Sequence, residues 1–330
     1  MDYRPNDHRY EGMTFRRAGH SGLDLPTLSL GLWQNFGQHA DPSTVEKLCT
    51  IAFDRGVVHF DLANNYGPPP GSAERIFGRI LNTQFQSHRD ELVVSTKAGY
   101  GMWPGPYGDG GSRKYLLSSL DQSLQRLGID YVDIFYSHRF DPSTPLEETM
   151  GALASAVHQG KALYIGISNY PLTETQRSLS LLSDAGVPCL VHQPRYSLFD
   201  RAAEKDGLLD ALHHAGVGAV VYSPLAQGLL TNRYLDTLPR DSRALSGEFL
   251  SADDLTETRL KQIRALHELA AARGQSLAQM ALTWVWRHPR VTSAIIGASR
   301  PEQLIDCLGA INAVALCDDE LAHIDAACAD

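Results

Sequence analysis

Four polar side chains that can take part in proton transfer lie at the ends of consecutive apolar runs. Asp61 and Tyr66 belong to HFDLANNYG, Lys97 ends LVVSTK, and His138 ends YVDIFYSH. In a parallel α/β protein the carboxyl ends of the strands carry the chemistry, so we expect these four side chains to meet at one rim. Such a group can protonate a carbonyl oxygen or deprotonate an alcohol.

Each of the four residue types suits a different role in that chemistry. A tyrosine donates a proton efficiently near neutral pH only if its pKa is brought down from about 10, which the Lys97 ammonium would do for Tyr66. Asp61 would hold Lys97 in place, and His138 would orient the substrate oxygen. Taken singly, Asp61 could instead cap a helix or form an ion pair, and Tyr66 could be an aromatic residue of a turn. His138 could be a hydrogen-bonded histidine at the rim of the barrel. Their occurrence together after successive strands favours catalysis.

Eight short apolar runs alternate with longer helical segments along the 330 residues. Several runs are rich in Val, Ile and Tyr without strict alternation, which is typical of parallel strands covered on both faces. The predicted strands are 27–30, 57–60, 91–96, 131–136, 162–167, 189–192, 218–222 and 293–296. Eight β-α units favour a closed (β/α)8 TIM barrel, with residues 1–330 as a single domain, over an open doubly wound sheet.

The predicted helices include 43–55, 73–81, 112–127, 146–158 and 207–214, which are amphipathic. Glycines follow several of them, as expected for left-handed caps. Two additions to the repeat are expected. A β-hairpin within residues 13–29 would plug the amino end of the barrel. Between strands seven and eight, a polar loop at 236–254 and extra helices at 258–273 and 277–287 form an insertion that could cover a ligand.

Composition narrows the classes of partner. Asp plus Glu number 38 against 29 Lys plus Arg, a net charge of −9 without a dense basic run, so nucleic acid is not an expected partner. The five cysteines are widely spaced and form no CxxC pair, which indicates reduced thiols. The polar start of the chain does not suit a signal peptide, and no apolar run reaches the roughly 18 residues of a membrane span. We therefore expect a cytoplasmic protein with no membrane partner.

The thirteen histidines raise the alternative of a barrel metallohydrolase. The histidines considered as ligands are His59, His138, His192, His213 and His214. No HxH follows the first strand and no HExxH occurs, and adjacent helical histidines do not easily face one ion. We expect no metal site.

Several motifs together resemble those of the aldo-keto reductase superfamily. FDLANNYG is similar to its FDTAxxYG signature, STK to its strand-three lysine motif, and IFYSH to its strand-four histidine motif. The resemblance runs from FRRAGHSGL to IGASRPEQL and implies the catalytic tetrad Asp61, Tyr66, Lys97 and His138. The stretches NNYGPPPGSAE, STKAGYGMWPGPYG, GGSRKYLL, SPLAQGLLT and GQSLAQMALTW are most similar to bacterial L-glyceraldehyde 3-phosphate reductases. That branch also contains the β subunits of voltage-gated potassium channels.

The resemblance implies that the barrel binds NADPH or NADP+ in an extended pose without a Rossmann fold. Consistently, the chain has no GxGxxG after a strand and no GxxxxGK[ST]. Ser168, Asn169 and Gln193 would hold the nicotinamide amide, and Tyr222 would stack on its ring. The residues implied around the pyrophosphate are Ser223, Pro224, Leu225, Gln227 and Gly228, with Arg233 as a basic contact. The implied cofactor positions also include Trp33, Asp61 and Gly297.

The stretch IIGASRPEQL predicts a phosphate site on physical grounds as well. Ser299 and Arg300 lie at the start of a predicted helix, where free N–H groups favour an anion and a guanidinium can grip phosphate. We expect them to bind the adenosine 2′-phosphate and to give NADPH preference over NADH. Under the resemblance, Gln303 is a further cofactor position. Asp306 and Cys307 replace a Glu-Asn pair that contacts adenine in the family, which predicts a weaker grip on the base.

The expected substrate is a small carbonyl compound, such as glyceraldehyde 3-phosphate or a methylglyoxal-like dicarbonyl. A substrate phosphate could meet a basic residue, either Arg139 or Arg113. The residues expected to line the substrate pocket are Trp33, Tyr66, Trp103, His138 and Arg139.

The resulting functional prediction is NADPH-dependent reduction of small aldehydes and ketones, with Tyr66 as proton donor. The alternative is an NADPH-binding regulatory subunit that resembles the channel β branch. No long inactivation segment precedes the barrel, which favours a stand-alone enzyme. Related proteins of this branch suggest a homo-oligomer of four or eight copies.

Overall fold

A closed barrel of eight parallel strands lies at the centre of the computed structural model, which describes residues 3–232 and 255–329. Each barrel strand pairs in parallel with its two neighbours, and β10 closes the circle by pairing with both β9 and β3. A separate antiparallel hairpin of β1 and β2 precedes the barrel. The strands are β1 Phe15–Arg17, β2 Asp24–Pro26, β3 Leu28–Gly31, β4 His59–Asp61, β5 Val93–Ala98, β6 Val132–Ser137, β7 Ala162–Ser168, β8 Val191–Gln193, β9 Gly218–Tyr222 and β10 Val291–Ile296. The predicted (β/α)8 barrel with an N-terminal hairpin is confirmed.

Helices surround the barrel and connect its strands. They are α1 Pro42–Asp54, α2 Ser72–Thr83, α3 Arg113–Leu127, α4 Leu146–His158, α5 Leu172–Asp184, α6 Ala202–Lys205, α7 Leu208–His214, α8 Glu257–Ala272, α9 Leu277–Trp286, α10 Pro301–Leu308 and α11 Asp318–Cys328. The extra helices predicted before the last strand are α8 and α9, whereas the polar loop predicted at 236–254 lies outside the described residues. None of the helices in the described part of the chain combines the length and the apolar character needed to cross a membrane.

Helix ends follow the local chemistry of the sequence. Asp41 caps α1, because its carboxylate accepts from the Thr44 N–H at 2.8 Å. Ser112 caps α3 in the same way through the Tyr115 N–H at 3.2 Å. At its other end, α3 stops at Gly128, whose φ of 68° is left-handed and favours glycine. These signals explain why the predicted helix bounds lie close to the observed ones.

The hairpin closes the amino end of the barrel, as expected from the sequence. Ala18 and Leu25 are completely buried and pack with interior residues of the barrel strands. Arg16 ties the hairpin to the barrel wall, since its Nη1 donates to the Val291 carbonyl at 2.6 Å. With the amino end closed, the carboxyl end of the barrel is left for the site.

Candidate active site

A buried ion pair lies at the carboxyl end of β4 and β5. Lys97 Nζ donates to Asp61 Oδ2 at 2.5 Å and to the Leu62 carbonyl at 2.7 Å. The other carboxylate oxygen, Asp61 Oδ1, accepts from Ser95 Oγ at 2.8 Å and from Gln193 Nε2 at 3.1 Å. Lys97 is 0% and Asp61 2% exposed, so the pair is shielded from solvent and all four contacts serve to fix its geometry.

Strand register explains why these side chains meet. Asp61 lies opposite Ser95 in the parallel pairing of β4 with β5. Ser95 and Lys97 are two residues apart on β5, so both point to the same face of the sheet, the interior of the barrel. Asp61 therefore touches both of them.

Tyr66 and His138 complete the group of four. Lys97 Nζ lies 5.1 Å from the centroid of the Tyr66 ring, and the Tyr66 and His138 ring centroids are 5.7 Å apart. The backbone of His138 is held by Ala98, whose carbonyl accepts from the His138 N–H at 2.9 Å. The four residues predicted to form the acid-base group are thus neighbours in the structure, while their catalytic roles stay predictions.

Burial dominates the protonation of this group. It raises the pKa of Tyr66 well above its ordinary value, and the Asp61 charge raises it further. It lowers the pKa of His138 well below its ordinary value, and Lys97 acts in the same direction. Burial also lowers the pKa of Lys97, which Asp61 opposes. In the protein by itself the pKa of Tyr66 is therefore raised, and the lowering effect expected of Lys97 stays a prediction.

The residues implied for the nicotinamide end form a connected hydrogen-bond network beside this group. Tyr222 Oη donates to Asn169 Oδ1 at 2.8 Å, and Asn169 Nδ2 donates to Ser168 Oγ at 3.1 Å and to the His138 carbonyl at 3.1 Å. Ser168 Oγ donates in turn to the Gln193 carbonyl at 2.8 Å. An amide, a hydroxyl and an aromatic ring lie together here. The polar groups fit the carboxamide of a nicotinamide, and the aromatic ring fits its pyridine ring.

Backbone strain is concentrated on the same rim. Every non-glycine residue with a left-handed φ in the described chain follows the carboxyl end of β3, β7 or β9, and these residues are Gln34, Asn169, Ser223, Ala226 and Gln227. Such conformations cost free energy and cluster at ligand sites. In the 223–228 loop, Gln227 Oε1 is buried without a hydrogen-bond partner among the described residues. This acceptor suits a ribose hydroxyl, so the loop fits the sugar-phosphate part of a dinucleotide.

The start of α10 differs from the expected anion site. Gln303 Oε1 accepts from the Ser299 N–H at 2.9 Å, from Ser299 Oγ at 3.0 Å and from the Arg300 N–H at 3.2 Å. The N–H groups predicted to be free are therefore capped by Gln303 in the protein by itself. Arg300 is exposed and forms no ion pair with any residue in 3–232 or 255–329, so its guanidinium is the group available to a phosphate.

Cys307, which replaces the asparagine of the family's adenine-contacting pair, is a core residue. Its side chain is 4% exposed and packs into the apolar core, where burial raises the pKa of the thiol to about 12. The neighbouring Asp306 is also engaged, since its Oδ2 accepts from Ser276 Oγ at 2.9 Å and its Oδ1 from Gln279 Nε2 at 3.0 Å. Asp306 therefore joins α10 to the start of α9.

The expected substrate residues surround the group only in part. Trp33 and Trp103 are partly exposed near the ends of β3 and β5. Arg139 follows β6, but its Nη2 is 3.0 Å and 3.1 Å from the two Asp109 carboxylate oxygens and its Nε donates to the Gly99 carbonyl. The Arg139 charge is therefore paired within the protein. A phosphate would have to compete with Asp109 for it.

Arg113, another basic residue named from the sequence, does not enter the described site. Arg113 turns away towards α4, where its Nη1 donates to Ser155 Oγ at 2.6 Å. Arg233 lies outside the described residues.

Tyr100 was missed by the sequence reasoning although it contacts the site. Its ring lies 4.7 Å from that of His138 at an interplanar angle of 87°, and the Arg139 guanidinium carbon is 5.0 Å from its centroid. Its backbone is fixed by Tyr115, whose hydroxyl donates to the Tyr100 carbonyl at 2.5 Å. The signal that could have identified it is its position, three residues after Lys97 in STKAGY.

The histidines considered for a metal site are dispersed. His59 and His192 are buried inside the barrel, whereas His213 and His214 are exposed on α7. Within 3–232 and 255–329, no three His, Cys, Asp or Glu side chains are grouped so that they could hold a metal ion.

Comparison with known proteins agrees with this arrangement. The model of the aldo/keto reductase family matches residues 27–329. The chain is 54% identical, over an alignment of 334 positions, to L-glyceraldehyde 3-phosphate reductase of Escherichia coli O157:H7, and the alignment covers 100% of this chain and 96% of the relative. It is 55% identical to the protein of the same name from Escherichia coli strain K12, with the same coverage. The chain therefore belongs to the aldo/keto reductase family and is an oxidoreductase close to L-glyceraldehyde 3-phosphate reductases.

Proposed function

We propose that this protein reduces small aldehydes and ketones with NADPH, and that Tyr66 is the proton donor. The observation that carries the proposal is the buried Lys97–Asp61 pair beside Tyr66 and His138. The proposed substrates are glyceraldehyde 3-phosphate, which the names of the relatives suggest, and methylglyoxal-like dicarbonyls.

In the proposed mechanism, Ser168, Asn169, Gln193 and Tyr222 would hold the nicotinamide of NADPH, which would supply the hydride for the carbonyl carbon. Tyr66 donates its hydroxyl proton to the carbonyl oxygen. As negative charge develops on the phenol, the Lys97 ammonium stabilises it, and Asp61 keeps Lys97 in place. His138 is neutral because of its lowered pKa, so its single ring N–H can orient the carbonyl without adding a charge.

The raised pKa of Tyr66 makes its hydroxyl a weak acid that relies on Lys97 to stabilise the phenolate, but it also secures the proton before the reaction. It keeps the hydroxyl protonated at neutral pH, as a general acid must be before the transfer. In alcohol oxidation the same residue would have to be a phenolate, which burial and Asp61 oppose.

Oxidation of NADPH in the presence of each proposed substrate tests the function. The parent protein should turn over glyceraldehyde 3-phosphate or a dicarbonyl, and Tyr66→Phe should lower kcat by about 10²- to 10⁴-fold. Tyr131→Phe is the matched control, because Tyr131 precedes β6 at the amino end of the barrel and should leave kcat unchanged.

The same measurement addresses the regulatory-subunit alternative. A parent protein that binds NADPH yet reduces none of the small aldehydes would contradict the enzymatic proposal and support a binding role. We also propose assembly into four or eight copies, which light scattering of the purified protein measures directly.

A further inference from the structure

A line of buried polar side chains continues below the catalytic carboxylate into the barrel. Ser95 Oγ, which donates to Asp61 Oδ1 at 2.8 Å, is also 3.0 Å from Nε2 of His59. His59 and Ser95 are both 0% exposed. The catalytic carboxylate is therefore linked through one hydroxyl to a histidine that the proposed mechanism does not use.

The line extends to the closed end of the barrel. Ser29 Oγ lies 2.8 Å from His59 Nδ1 and 2.6 Å from Ser293 Oγ. Ser293 Oγ is in turn 2.6 Å from the Pro26 carbonyl, at the end of the hairpin. Ser29 and Ser293 are also 0% exposed, so the line runs through the interior without reaching the surface.

The line has one hydrogen fewer than it needs for every link to be a hydrogen bond. It has five links, and both of its ends, the Asp61 carboxylate and the Pro26 carbonyl, can only accept. Three serines and a neutral histidine supply four hydrogens. All five links form together only if His59 is an imidazolium or Asp61 is protonated. Burial lowers the pKa of His59 to about 4, against a smaller opposing effect of Asp61, so His59 is neutral near pH 7.

The position of the missing hydrogen follows from the carboxylate end. Ser95 has one hydrogen and directs it to the Asp61 charge, which is the strongest acceptor in the line. Four of the five links can form with the hydrogen on either ring nitrogen of His59: on Nδ1 the shortage falls between His59 and Ser95, and on Nε2 it falls among the neutral groups at the far end. We infer Nε2, because a hydrogen donated from there to Ser95 polarises the Ser95 hydroxyl and strengthens its bond to the charged carboxylate. His59 Nδ1 is left as an acceptor for Ser29, and the shortage falls at the far end. There the single hydrogen of Ser293 serves either Ser29 or Pro26.

We propose that His59, as the neutral tautomer with its proton on Nε2, is a positioning residue that fixes Ser95 as a donor to Asp61. With Oδ1 occupied by Ser95 and Gln193, Asp61 presents Oδ2 to Lys97. The kinetic part of this inference rests on the proposed function, whereas the assignment of the tautomer does not.

Nitrogen NMR of the full chain labelled with ¹⁵N-histidine tests the tautomer directly at pH 7. The signals of His59 are identified by their loss in His59→Gln. The expected result is a hydrogen-bearing Nε2 and a bare Nδ1. A hydrogen on Nδ1, alone or together with one on Nε2, would overturn the proposal.

Kinetics test the positioning role in the same buffer. Ser95→Ala should lower kcat about tenfold, the loss expected for one hydrogen bond to a carboxylate, with KM and the Kd of NADPH within about twofold of the parent. Ser95→Thr keeps the hydroxyl and should recover most of the loss. Ser293→Ala is the matched control at the far end of the line and should leave kcat unchanged.

The outcomes separate this inference from the proposed function. A Ser95→Ala kcat equal to that of the parent, or an equal loss in Ser293→Ala, would overturn the positioning role. A parent protein without turnover would refute the proposed function, and the NMR result would then decide the tautomer alone.

Discussion

Asp61 and Lys97 depend on each other because both are charged groups removed from water. Their 2.5 Å contact compensates for the cost of burial, and neither side chain has access to solvent that could replace the other. Asp61 also raises the pKa of Tyr66, because its charge disfavours a second negative charge nearby. Lys97 thus balances the buried charge of Asp61, and in the proposed mechanism it also stabilises the developing phenolate.

Replacing Lys97 by Met should therefore have two separable effects. We expect kcat to fall by at least about 10²-fold with little change in NADPH affinity, because the ammonium acts on the proton donor. We also expect a loss of about 3–5 kcal/mol in the free energy of unfolding, since Asp61 is left buried and unpaired. Steady-state kinetics and urea unfolding measure the two.

The double variant Asp61→Asn with Lys97→Met is the control for the first effect. It removes the unpaired charge, so it should regain part of the lost stability without regaining activity. Recovery of near-normal kcat in either variant would contradict the role of Lys97.

Helix α10 begins with a side chain in the position predicted for a phosphate. Gln303 Oε1 satisfies the N–H groups of Ser299 and Arg300, which a helix start leaves without intrahelical partners. A phosphate would have to displace that amide oxygen or bind beyond it. Arg300, exposed at the same turn, can reach a phosphate without this exchange.

The Arg300→Ala variant should therefore lower kcat/KM for NADPH about tenfold or more and change that for NADH less than about twofold. The reason is that only NADPH carries the 2′-phosphate. Arg79→Ala, at an exposed position on α2, is the control and should alter neither value. Equal losses with both cofactors in Arg300→Ala would rule out a 2′-phosphate contact.

The hairpin approaches the barrel so closely that one position excludes a side chain. Gly19 has a φ of 56°, and a Cβ built there would lie 2.0 Å from the Gly216 carbonyl oxygen. The adjacent His20 N–H donates to the same carbonyl at 2.9 Å. The backbone conformation and the contact both require glycine.

Gly19→Ala should destabilise the fold by about 1–3 kcal/mol, because the hairpin must shift and φ is unfavourable for alanine. Gly22→Ala in the same hairpin is the matched control, since nothing lies within 4 Å of a Cβ there. Thermal unfolding of the two variants compares them. A Gly19→Ala midpoint equal to that of Gly22→Ala would contradict the close approach.

Acid stability depends on histidines distributed over the barrel interior. Burial lowers the pKa of both His59 and His192 to about 4 and that of His138 well below its ordinary value. An unfolded histidine titrates near 6.5, so between about pH 4 and 6.5 the unfolded chain binds more protons than the folded one. The contribution of these neutral histidines to the free energy of unfolding is therefore fully present above that pH range and is lost as the pH falls through it.

We expect the free energy of unfolding to drop steeply from pH 6.5 to pH 4.5, with His59 contributing up to roughly 3 kcal/mol of the full effect. Urea unfolding at several pH values measures the slope. His59→Gln should reduce the slope, because glutamine does not titrate. The exposed His213→Gln should leave it unchanged, and an equal slope in both variants would contradict the assignment.

The amino-acid sequence by itself determined the repeating elements and the residue types at the strand ends. Local patterns decide these features, because strand composition and helix caps involve neighbours in the chain. This is why the eight strands were predicted within a few residues, and why Asp61, Tyr66, Lys97 and His138 were expected on one rim.

Tertiary structure alone decided which polar groups are already paired. Asp109 holds Arg139, Gln303 caps the start of α10, and burial raises the pKa of Tyr66. The Ser29 and Ser293 hydroxyls form a hydrogen bond although the residues are 264 apart in the chain, because closure of the barrel puts β10 beside β3. Register and burial depend on contacts between distant segments, which no local pattern encodes.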